Sequence, residues 1–404
     1  MADAHRREWA FVLAATVRVT GDIDLAEECV QDAYARALAT WSTGGIPSKP
    51  GAWLTTVARR CAIDVVRRGT THYRALPLLV EPVTMAGPGE LDEPDIVDDR
   101  LRLIFTCCHP AIALDAQVAL TLRLVCGLTT AEVGRAFLVS ESTMAARITR
   151  AKKKIALARI PFRVPSAEVL PTRIDAVLTV LHLLYSTGHT APKGADLIRR
   201  DLVERSIDLA RLLRKLLPGD AGVAGLLALI LLTDARRSTR LGSDDQLVLL
   251  ADQDRSRWDH RSIGEGLKLV REALCCRPPG RFALMAAIAA VHDEAPSWDA
   301  TDWGEIVGLY DLLVELWPSP VVALNRAVAL GLAVGSDAGL AALDQLATEP
   351  VLATYSYLAS ARADFLRRLG RTDEARTAYE EALLLCENSV ERAFLVDRLG
   401  EVDG

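Results

Sequence analysis

The stretch LTTAEVGRAFLVSESTMAARITRAKKKI, residues 128–155, decides how this sequence is interpreted. Thr129 followed by Glu132 is a capping box, which predicts a short helix that ends near Phe137. The next two residues supply a turn, and Ser140 can cap a second helix. The stretch therefore predicts a helix-turn-helix.

The second of these helices has two distinct faces. Its apolar residues recur at intervals of four, three and four, and they are Met144, Ile148, Ala151 and Ile155. The other side carries Thr143, Arg147, Arg150 and Lys154. A polar face of this kind can lie in the major groove of DNA, with its N-terminal residues at base edges and its basic end on phosphates. A solvated amphipathic helix is the alternative, because runs such as residues 152–154 usually just face water.

Two more helices are predicted near the N-terminus. The segment GDIDLAEECVQDAYARALATW, residues 21–41, begins with Asp22 or Asp24 as its cap. A helical projection places Val30, Ala33, Ala37 and Trp41 in a core stripe and Glu28, Asp32 and Arg36 on the opposite face. This helix therefore presents a charged face to a partner.

The helix that follows a Gly/Pro loop at 44–51 is basic. In AWLTTVARRCAIDVVRR, residues 52–68, the inward positions are Leu54, Val57, Ala58, Cys61 and Val65. The outward positions are Thr56, Arg59, Arg60 and Arg67. Basic side chains beside Trp53 suit single-stranded DNA, since they hold the backbone while the ring stacks on unpaired bases. A core aromatic is an equally good interpretation of Trp53.

Charge is unevenly distributed although the whole chain carries a formal net charge of only −6. Residues 59–74 hold five arginines and one acid, and residues 147–163 hold seven basic residues and no acid. Between them, residues 81–99 hold seven acids and no Lys or Arg, together with several Pro and Gly. This pattern predicts two basic helical modules joined by a flexible acidic linker.

Composition favours an all-α fold and excludes several classes of protein. Half of the 404 residues are hydrophobic, which excludes a disordered chain, and Ala, Leu and Val run in segments broken by Gly and Pro. The eight cysteines lack the spacing of a zinc site, so Cys107 and Cys108 beside His109 are expected to be buried thiols in a reducing cytoplasm. The richest apolar stretch, 225–233, is too short to span a bilayer, so no membrane association is expected.

The C-terminal part differs from the two basic modules. Residues 161–404 carry 27 basic and 35 acidic groups, and they contain no basic cluster typical of a DNA-binding surface. NRAV at 325–328 is echoed by ARAD at 361–364, an offset of about 36 residues. The second copy resembles a tetratricopeptide helix pair, a unit that stacks on its neighbours and leaves a concave surface for a partner.

The first 160 residues resemble bacterial extracytoplasmic-function sigma factors. Residues 5–68 resemble region 2, and residues 98–157 resemble region 4. The patterns that carry the resemblance are GDxxxAEExxQDAY, WLxxxARxxxxDxxRR and SExTxxxRxxRAKKK. The remainder, with QDRSRWD and AAIAAVHDEA, resembles the C-terminal extension of the subgroup that carries a tetratricopeptide-like domain.

The resemblance implies an all-α protein in four parts. These are sigma region 2 at 1–70, an acidic flexible linker at 71–97, sigma region 4 at 98–160, and an all-helical regulatory extension at 161–404 with tetratricopeptide-like repeats at about 320–400. Three positions depart from the usual pattern of the helix-turn-helix. Leu138 stands where glycine is common, and Ala145 and Ala146 leave base reading to fewer polar side chains. Gly134, inside a helix, suggests a close helix approach.

The family role implied by the resemblance is transcription initiation without catalysis, metal or cofactor. Binding of core RNA polymerase falls by position to Glu28, Asp32 and Arg36. Capture of the melted minus-ten element of promoter DNA falls to Lys49, Trp53, Thr56, Arg59, Arg60 and Arg67. The duplex minus-thirty-five element falls to Ser142, Thr143, Arg147 and Arg150, with Lys152, Lys153 and Lys154 on the backbone.

The extension is expected to modulate this activity by binding a regulatory protein or a ligand. An acid/base site can be assembled on paper from His182, His189 and His292 with Asp252, Asp254 and Asp302, but nothing in their spacing supports an enzyme. Two rival functions remain, a one-component helix-turn-helix regulator with a ligand-binding C-terminal half and a scaffold protein. The helices in the first module discriminate, because a repressor that binds one duplex site has no need of them.

Overall fold

The computed structural model describes residues 2–75, 99–137 and 139–403, and most of them are helical. They form two compact units, residues 1–180 and 181–404, which divide within one helix. The helices of the first unit are α1 (Ala2–Thr20), α2 (Ile23–Gly44), α3 (Pro50–Ala75), α4 (Asp99–Cys107), α5 (Leu114–Leu120), a π-helical turn (Thr121–Val125), α6 (Thr130–Ala136), α7 (Glu141–Leu157) and the first half of α8 (Leu170–His189). The all-α fold class predicted from the sequence is confirmed.

Helices α1, α2 and α3 form the first bundle of the chain. Asp22 is the N-cap of α2, since its carboxylate accepts a hydrogen bond from the backbone N–H of Leu25 at 2.9 Å. The predicted core stripe of α2 is buried at all four of its positions, Val30, Ala33, Ala37 and Trp41. Helix α3 runs to Ala75, five residues into the linker expected at 71–97, and the rest of that linker, 76–97, lies outside the described residues.

The helix-turn-helix is formed by α6 and α7. Thr129 and Glu132 cap one another, with 2.7 Å from the Thr129 N–H to the Glu132 carboxylate and 3.2 Å from the Glu132 N–H to the Thr129 hydroxyl. Ser140 caps α7 by accepting from the Thr143 N–H at 3.2 Å. The apolar stripe of α7, Met144, Ile148, Ala151 and Ile155, is buried as predicted.

The turn between α6 and α7 explains the glycine in α6. A Cβ atom on Gly134 would lie 3.1 Å from the carbonyl oxygen of Val139, so the turn backbone closes against this position. The close approach predicted for Gly134 is therefore confirmed. Leu138, which belongs to the predicted turn, lies outside the described residues.

The adjacent cysteines at the C-terminal end of α4 are structural. Cys107 and Cys108 are fully buried free thiols, as predicted, and burial raises the pKa of Cys108 to about 12. The Cys108 sulfur lies 3.6 Å from the hydroxyl of Thr121, whose own proton is donated to the carbonyl of Gln117 at 2.8 Å. No group of three or more potential metal ligands occurs among the described residues.

The second unit is a succession of helices in which neighbours in sequence pack together. Its helices are the end of α8, then α9 (Arg200–Leu216), α10 (Ala221–Asp234), α11 (His260–Leu274), α12 (Arg281–Glu294), α13 (Trp303–Leu316), α14 (Pro320–Ala333), α15 (Ser336–Gln345), α16 (Ser356–Arg368), α17 (Thr372–Leu385) and α18 (Ser389–Asp403). Short 3-10 turns lie between α10 and α11. None of the described helices is both long and apolar enough to cross a membrane.

The sequence repeat corresponds to equivalent positions in this unit. Ala327 of α14 and its echo Ala363 of α16 are both buried, as are Leu343 of α15 and its echo Tyr379 of α17. The offset of about 36 residues therefore relates buried positions of the pair α14 and α15 to buried positions of the pair α16 and α17.

A pair of two-residue strands, not predicted from the sequence, joins the two ends of the second unit. Strand β1 (Lys193–Gly194) follows α8 and pairs in parallel with β2 (Glu387–Asn388), which precedes α18. The buried amide of Asn388 reinforces the pair by donating to the carbonyls of Ala191 at 2.9 Å and Asp196 at 3.0 Å. Helix α18 is thus anchored to the segment that follows α8.

Candidate nucleic-acid interface

The charged face of α2 is open to solvent. Glu28, Asp32 and Arg36 are all exposed, and their spacing of four residues aligns them along one side of the helix. Asp32 also borders α3, because its carboxylate lies 3.9 Å from the sulfur of Cys61. The structure thus gathers the three residues predicted to bind polymerase into one surface.

A second surface runs along α3. Successive helix residues are rotated by about 100°, so Trp53, Thr56, Arg60 and Arg67 fall on a single stripe. Thr56, Arg60 and Arg67 are exposed, as is Lys49 just before the helix. The stripe combines positive charge, a hydroxyl group and an aromatic ring.

Trp53 has features of both interpretations offered by the sequence. Its ring is partly buried and meets the buried ring of Trp41 edge-on, with 5.4 Å between centroids and 61° between planes. The contact fixes one edge of Trp53 while part of the side chain stays accessible. Arg59 is also partly buried and lies beside the stripe, with its Nε atom enclosed.

A third surface lies at the start of α7. Ser142 and Thr143 are exposed, and the hydroxyl of Ser140 lies 3.0 Å from that of Ser142 and 2.8 Å from that of Thr143. These contacts fix the first turn of the helix in which base readers are expected. Further along, Arg150 is exposed and folds back so that its Nε donates to the carbonyl of Ala146 at 3.2 Å.

Arg147 is less open than its position on the polar face suggests. Only 27% of its side chain is exposed, because the guanidinium lies over the Phe137 ring, 5.7 Å from the centroid. It also lies 3.9 Å from the carboxylate of Asp115 on α5. The arginine is therefore oriented by α6 and α5, and its pairing with the exposed carboxylate is weak enough to exchange.

Known proteins resemble this chain over these same modules. Residues 5–71 match the family model described as Sigma-70 region 2, and residues 102–155 match the one described as Sigma-70, region 4. Regions 2 and 4 of a sigma factor are therefore both present in this chain. Sigma factors are transcription initiation factors and not enzymes.

Two relatives are similar to longer parts of the chain. This chain is 42% identical over 388 residues to "Uncharacterized protein R00370" of Rhizobium meliloti (strain 1021). The aligned region covers 95% of this chain and 91% of that protein. The chain is also 28% identical over 218 residues to "Probable ECF RNA polymerase sigma factor SigI" of Mycobacterium tuberculosis, or 50% of this chain and 73% of the relative. Residues 173–274 match a family of unknown function, DUF6596.

Lys152 is much less exposed than the two lysines that follow it. Lys153 and Lys154 are exposed, whereas only 13% of the Lys152 side chain is accessible. Its ammonium group lies 2.8 Å from the carboxylate of Asp24 and is also paired with Glu27, both on α2. Burial lowers the pKa of Lys152, but the charge of Glu27 and the hydrogen bonds that the ammonium group donates to both carboxylates more than offset that effect and raise the pKa.

The histidines and acids considered for catalysis have separate structural roles. Asp254 caps a 3-10 turn and Asp302 caps α13, each by accepting a backbone N–H. The rings of His182, His189 and His292 contact Phe282, Tyr185 and Trp303 respectively, and Asp252 is exposed. Burial lowers the pKa of His182 and of His292 to about 4, which keeps both rings neutral.

A buried carboxyl group that was not predicted from the sequence, that of Asp293, lies beside His292. The Asp293 side chain is 0% exposed and is 3.4 Å from the Nε of Arg236. Burial raises the pKa of Asp293 to about 7. Nearby, Arg255 donates to the carbonyls of His292 at 2.6 Å and Ala295 at 2.8 Å. The available signal was the helical spacing in the motif AAIAAVHDEA, which places Asp293 one turn after the buried Ala289 and Ala290.

Proposed function

We propose that this sigma factor binds core RNA polymerase through the α2 face, directs it to specific promoters, and helps melt the minus-ten element. The observation that carries the proposal is that the first module has two different exposed surfaces, one charged and one basic with an aromatic ring. A protein that only binds duplex DNA through α7 has no use for either. Glu28, Asp32 and Arg36 are assigned to polymerase.

The α3 stripe is assigned to the melted minus-ten strand. Lys49, Arg60 and Arg67 carry the charge that a phosphate backbone requires, and Trp53 offers an aromatic surface on which an unpaired base can stack. Thr56, and Arg59 at the edge of the stripe, supply polar contacts to the same strand. Removing a base from the duplex stack costs a few kcal/mol, and stacking on a ring held by Trp41 offsets part of that cost.

The N-terminal half of α7 is assigned to the minus-thirty-five duplex. Ser142, Thr143, Arg147 and Arg150 lie where a recognition helix meets base edges, and the lysines at 152–154 lie toward the end that contacts phosphates. Phe137 and Asp115 hold the Arg147 guanidinium ready in position, which reduces the conformational entropy lost on binding a base.

The second unit is proposed to modulate transcription by binding a regulatory protein or a ligand, in the cytoplasm where polymerase and promoters meet. Its buried repeat supports this role, because stacked helix pairs leave an extended surface for a partner. Asn388→Ala in the full chain releases the anchor between β1 and β2. We expect altered transcription with unchanged binding of core polymerase, and unchanged transcription would contradict a modulating role.

The experiment that tests the main proposal is transcription in vitro with core polymerase on sheared genomic DNA, followed by sequencing of the RNA 5′ ends. We expect start sites that appear only with this protein and that share two upstream elements. Asp32→Ala combined with Arg36→Ala should weaken binding to core polymerase and lower the signal. Tight binding of the free protein to duplex promoter DNA, without start sites, would instead favour a one-component regulator.

A further inference from the structure

We propose that regions 2 and 4 of this sigma factor hold each other in a closed form before polymerase binds, and that Lys152 exchanges between Glu27 and a DNA phosphate. The contact consists of Trp9, Asp24 and Glu27 on the region 2 side and Arg123 and Lys152 on the region 4 side, and we call it the inter-region contact. Only the role of Lys152 at DNA rests on the proposed function.

Glu27 is the centre of the inter-region contact. Glu27 is 4% exposed, although Asp24 and Gln31, its neighbours one turn away on α2, are exposed. One carboxylate oxygen lies 2.7 Å from the Nη2 of Arg123, and the other is paired with Lys152. A buried carboxylate is tolerated only when cations compensate it, and both of its cations come from region 4. An acidic group of region 2 therefore meets two basic groups of region 4 at a place shielded from water.

Aromatic packing reinforces the ion pairs. The Trp9 indole N–H donates to the carbonyl of Leu124 at 3.1 Å, and the Arg123 guanidinium lies 5.3 Å from the centre of the Trp9 ring. Gly127, at φ +70°, lets this ring approach, since a Cβ there would be 3.0 Å from the Trp9 Cγ. A buried tryptophan with its N–H satisfied across the contact makes the fit specific.

The closed form removes one cation from the proposed DNA surface and leaves the others in place. Lys152 cannot reach a phosphate while it is paired with Glu27, whereas Arg150, Lys153 and Lys154 stay exposed. A phosphate offers Lys152 the same charge and hydrogen-bonding capacity as a carboxylate. Opening therefore exchanges one ion pair for another, and the free protein binds duplex DNA more weakly than its open form does.

The test uses the full chain in the absence of polymerase. Glu27→Gln and Trp9→Phe each remove one part of the inter-region contact, and Trp9→Phe keeps an aromatic side chain in the core. We expect faster amide hydrogen exchange at residues 121–128 and a larger radius of gyration in both variants. The matched control is Asp64→Asn, an exposed acid of region 2 to which no binding role is assigned, and it should change neither.

The second readout is binding to a random-sequence 30-base-pair duplex, followed by fluorescence anisotropy. We expect Glu27→Gln to tighten binding about tenfold, because it releases a charged hydrogen-bonded pair. Lys152→Gln should open the protein as much as Glu27→Gln does, and the double variant should open it no further. Lys152→Gln should also lower the slope of log affinity against log salt by about one. Lys153→Gln should weaken DNA binding without opening.

Three outcomes contradict the inference. Unchanged hydrogen exchange in Glu27→Gln and Trp9→Phe would show that the two regions do not depend on the inter-region contact. Opening of the protein without tighter DNA binding would remove the competition between Glu27 and phosphate. Additive opening by Glu27→Gln and Lys152→Gln would show that they act separately. The proposed function is judged independently, by the start sites obtained with core polymerase.

Discussion

Trp53→Ala tests whether the α3 stripe holds a melted strand. In the structure the Trp53 ring is partly accessible, and its contact with Trp41 is edge-on at 5.4 Å. The substitution therefore removes two interactions, the internal aromatic pair and the surface offered to an unpaired base. These two losses appear in different measurements.

The magnitude follows from the two interactions. An edge-to-face aromatic pair contributes about 0.5–1.5 kcal/mol beyond area burial, and that part is lost from the free energy of unfolding. Stacking of one base on an aromatic side chain contributes about 1–3 kcal/mol, which corresponds to about a 5-fold to 150-fold loss of affinity for single strands. Binding to intact duplex involves α7 and should be unchanged.

The assay compares the binding of holoenzyme to a single-stranded oligonucleotide and to a duplex of the same sequence. Trp41→Phe is the matched control, because Trp41 is buried and its replacement disturbs the same aromatic pair without removing the accessible ring. Trp53→Ala should lose single-strand affinity while Trp41→Phe keeps it. Equal losses in the two variants, or equal losses on single strand and duplex, would refute the assignment of Trp53 to the melted strand.

Three other substitutions give separate predictions. Arg147→Ala should make binding weaker by about 1–3 kcal/mol, and only for promoters that keep one particular upstream base pair, in binding assays with base-substituted promoters. An equal loss on every sequence would show that Arg147 contacts a phosphate and not a base. Burial raises the pKa of Asp293 from 3.8 to about 7 in the folded protein. Between these pH values the folded protein keeps a proton that the unfolded chain has released, so the free energy of unfolding falls as pH rises from about 4 to about 7. Asp293→Asn should flatten that fall in urea unfolding, and the exposed Asp299→Asn should not. Gly331→Ala places a Cβ against the ring of Phe365, so we expect it to destabilise the protein by about 1–3 kcal/mol in thermal unfolding. Gly308→Ala, whose Cβ has no atom within 4 Å, should leave the stability of the protein unchanged.

The features that sequence predicted well depend on neighbours within one helix. The caps at Thr129 and Ser140 and the buried stripe of α7 follow from spacings of three and four residues, which one helix alone determines. The charged face of α2 is exposed for the same reason. Local periodicity therefore identified the two modules and the orientation of their surfaces.

The features that sequence missed depend on residues far apart in the chain. Lys152 and Glu27 are 125 positions apart, and only the folded first unit brings them together. A helical projection does place Lys152 about 40° from Ile148, at the border of the core face, and Lys153 on the far side. The strand pair of β1 and β2 escaped prediction because two residues are too few to show an alternating pattern.

The decisive experiment on promoter-directed initiation is a transcription reaction with purified core polymerase, this chain and sheared genomic DNA. We expect RNA 5′ ends that are absent without the protein and whose signal falls when Asp32 and Arg36 are both replaced by alanine. Start sites that are identical with and without the protein, together with no binding to core polymerase, would contradict it.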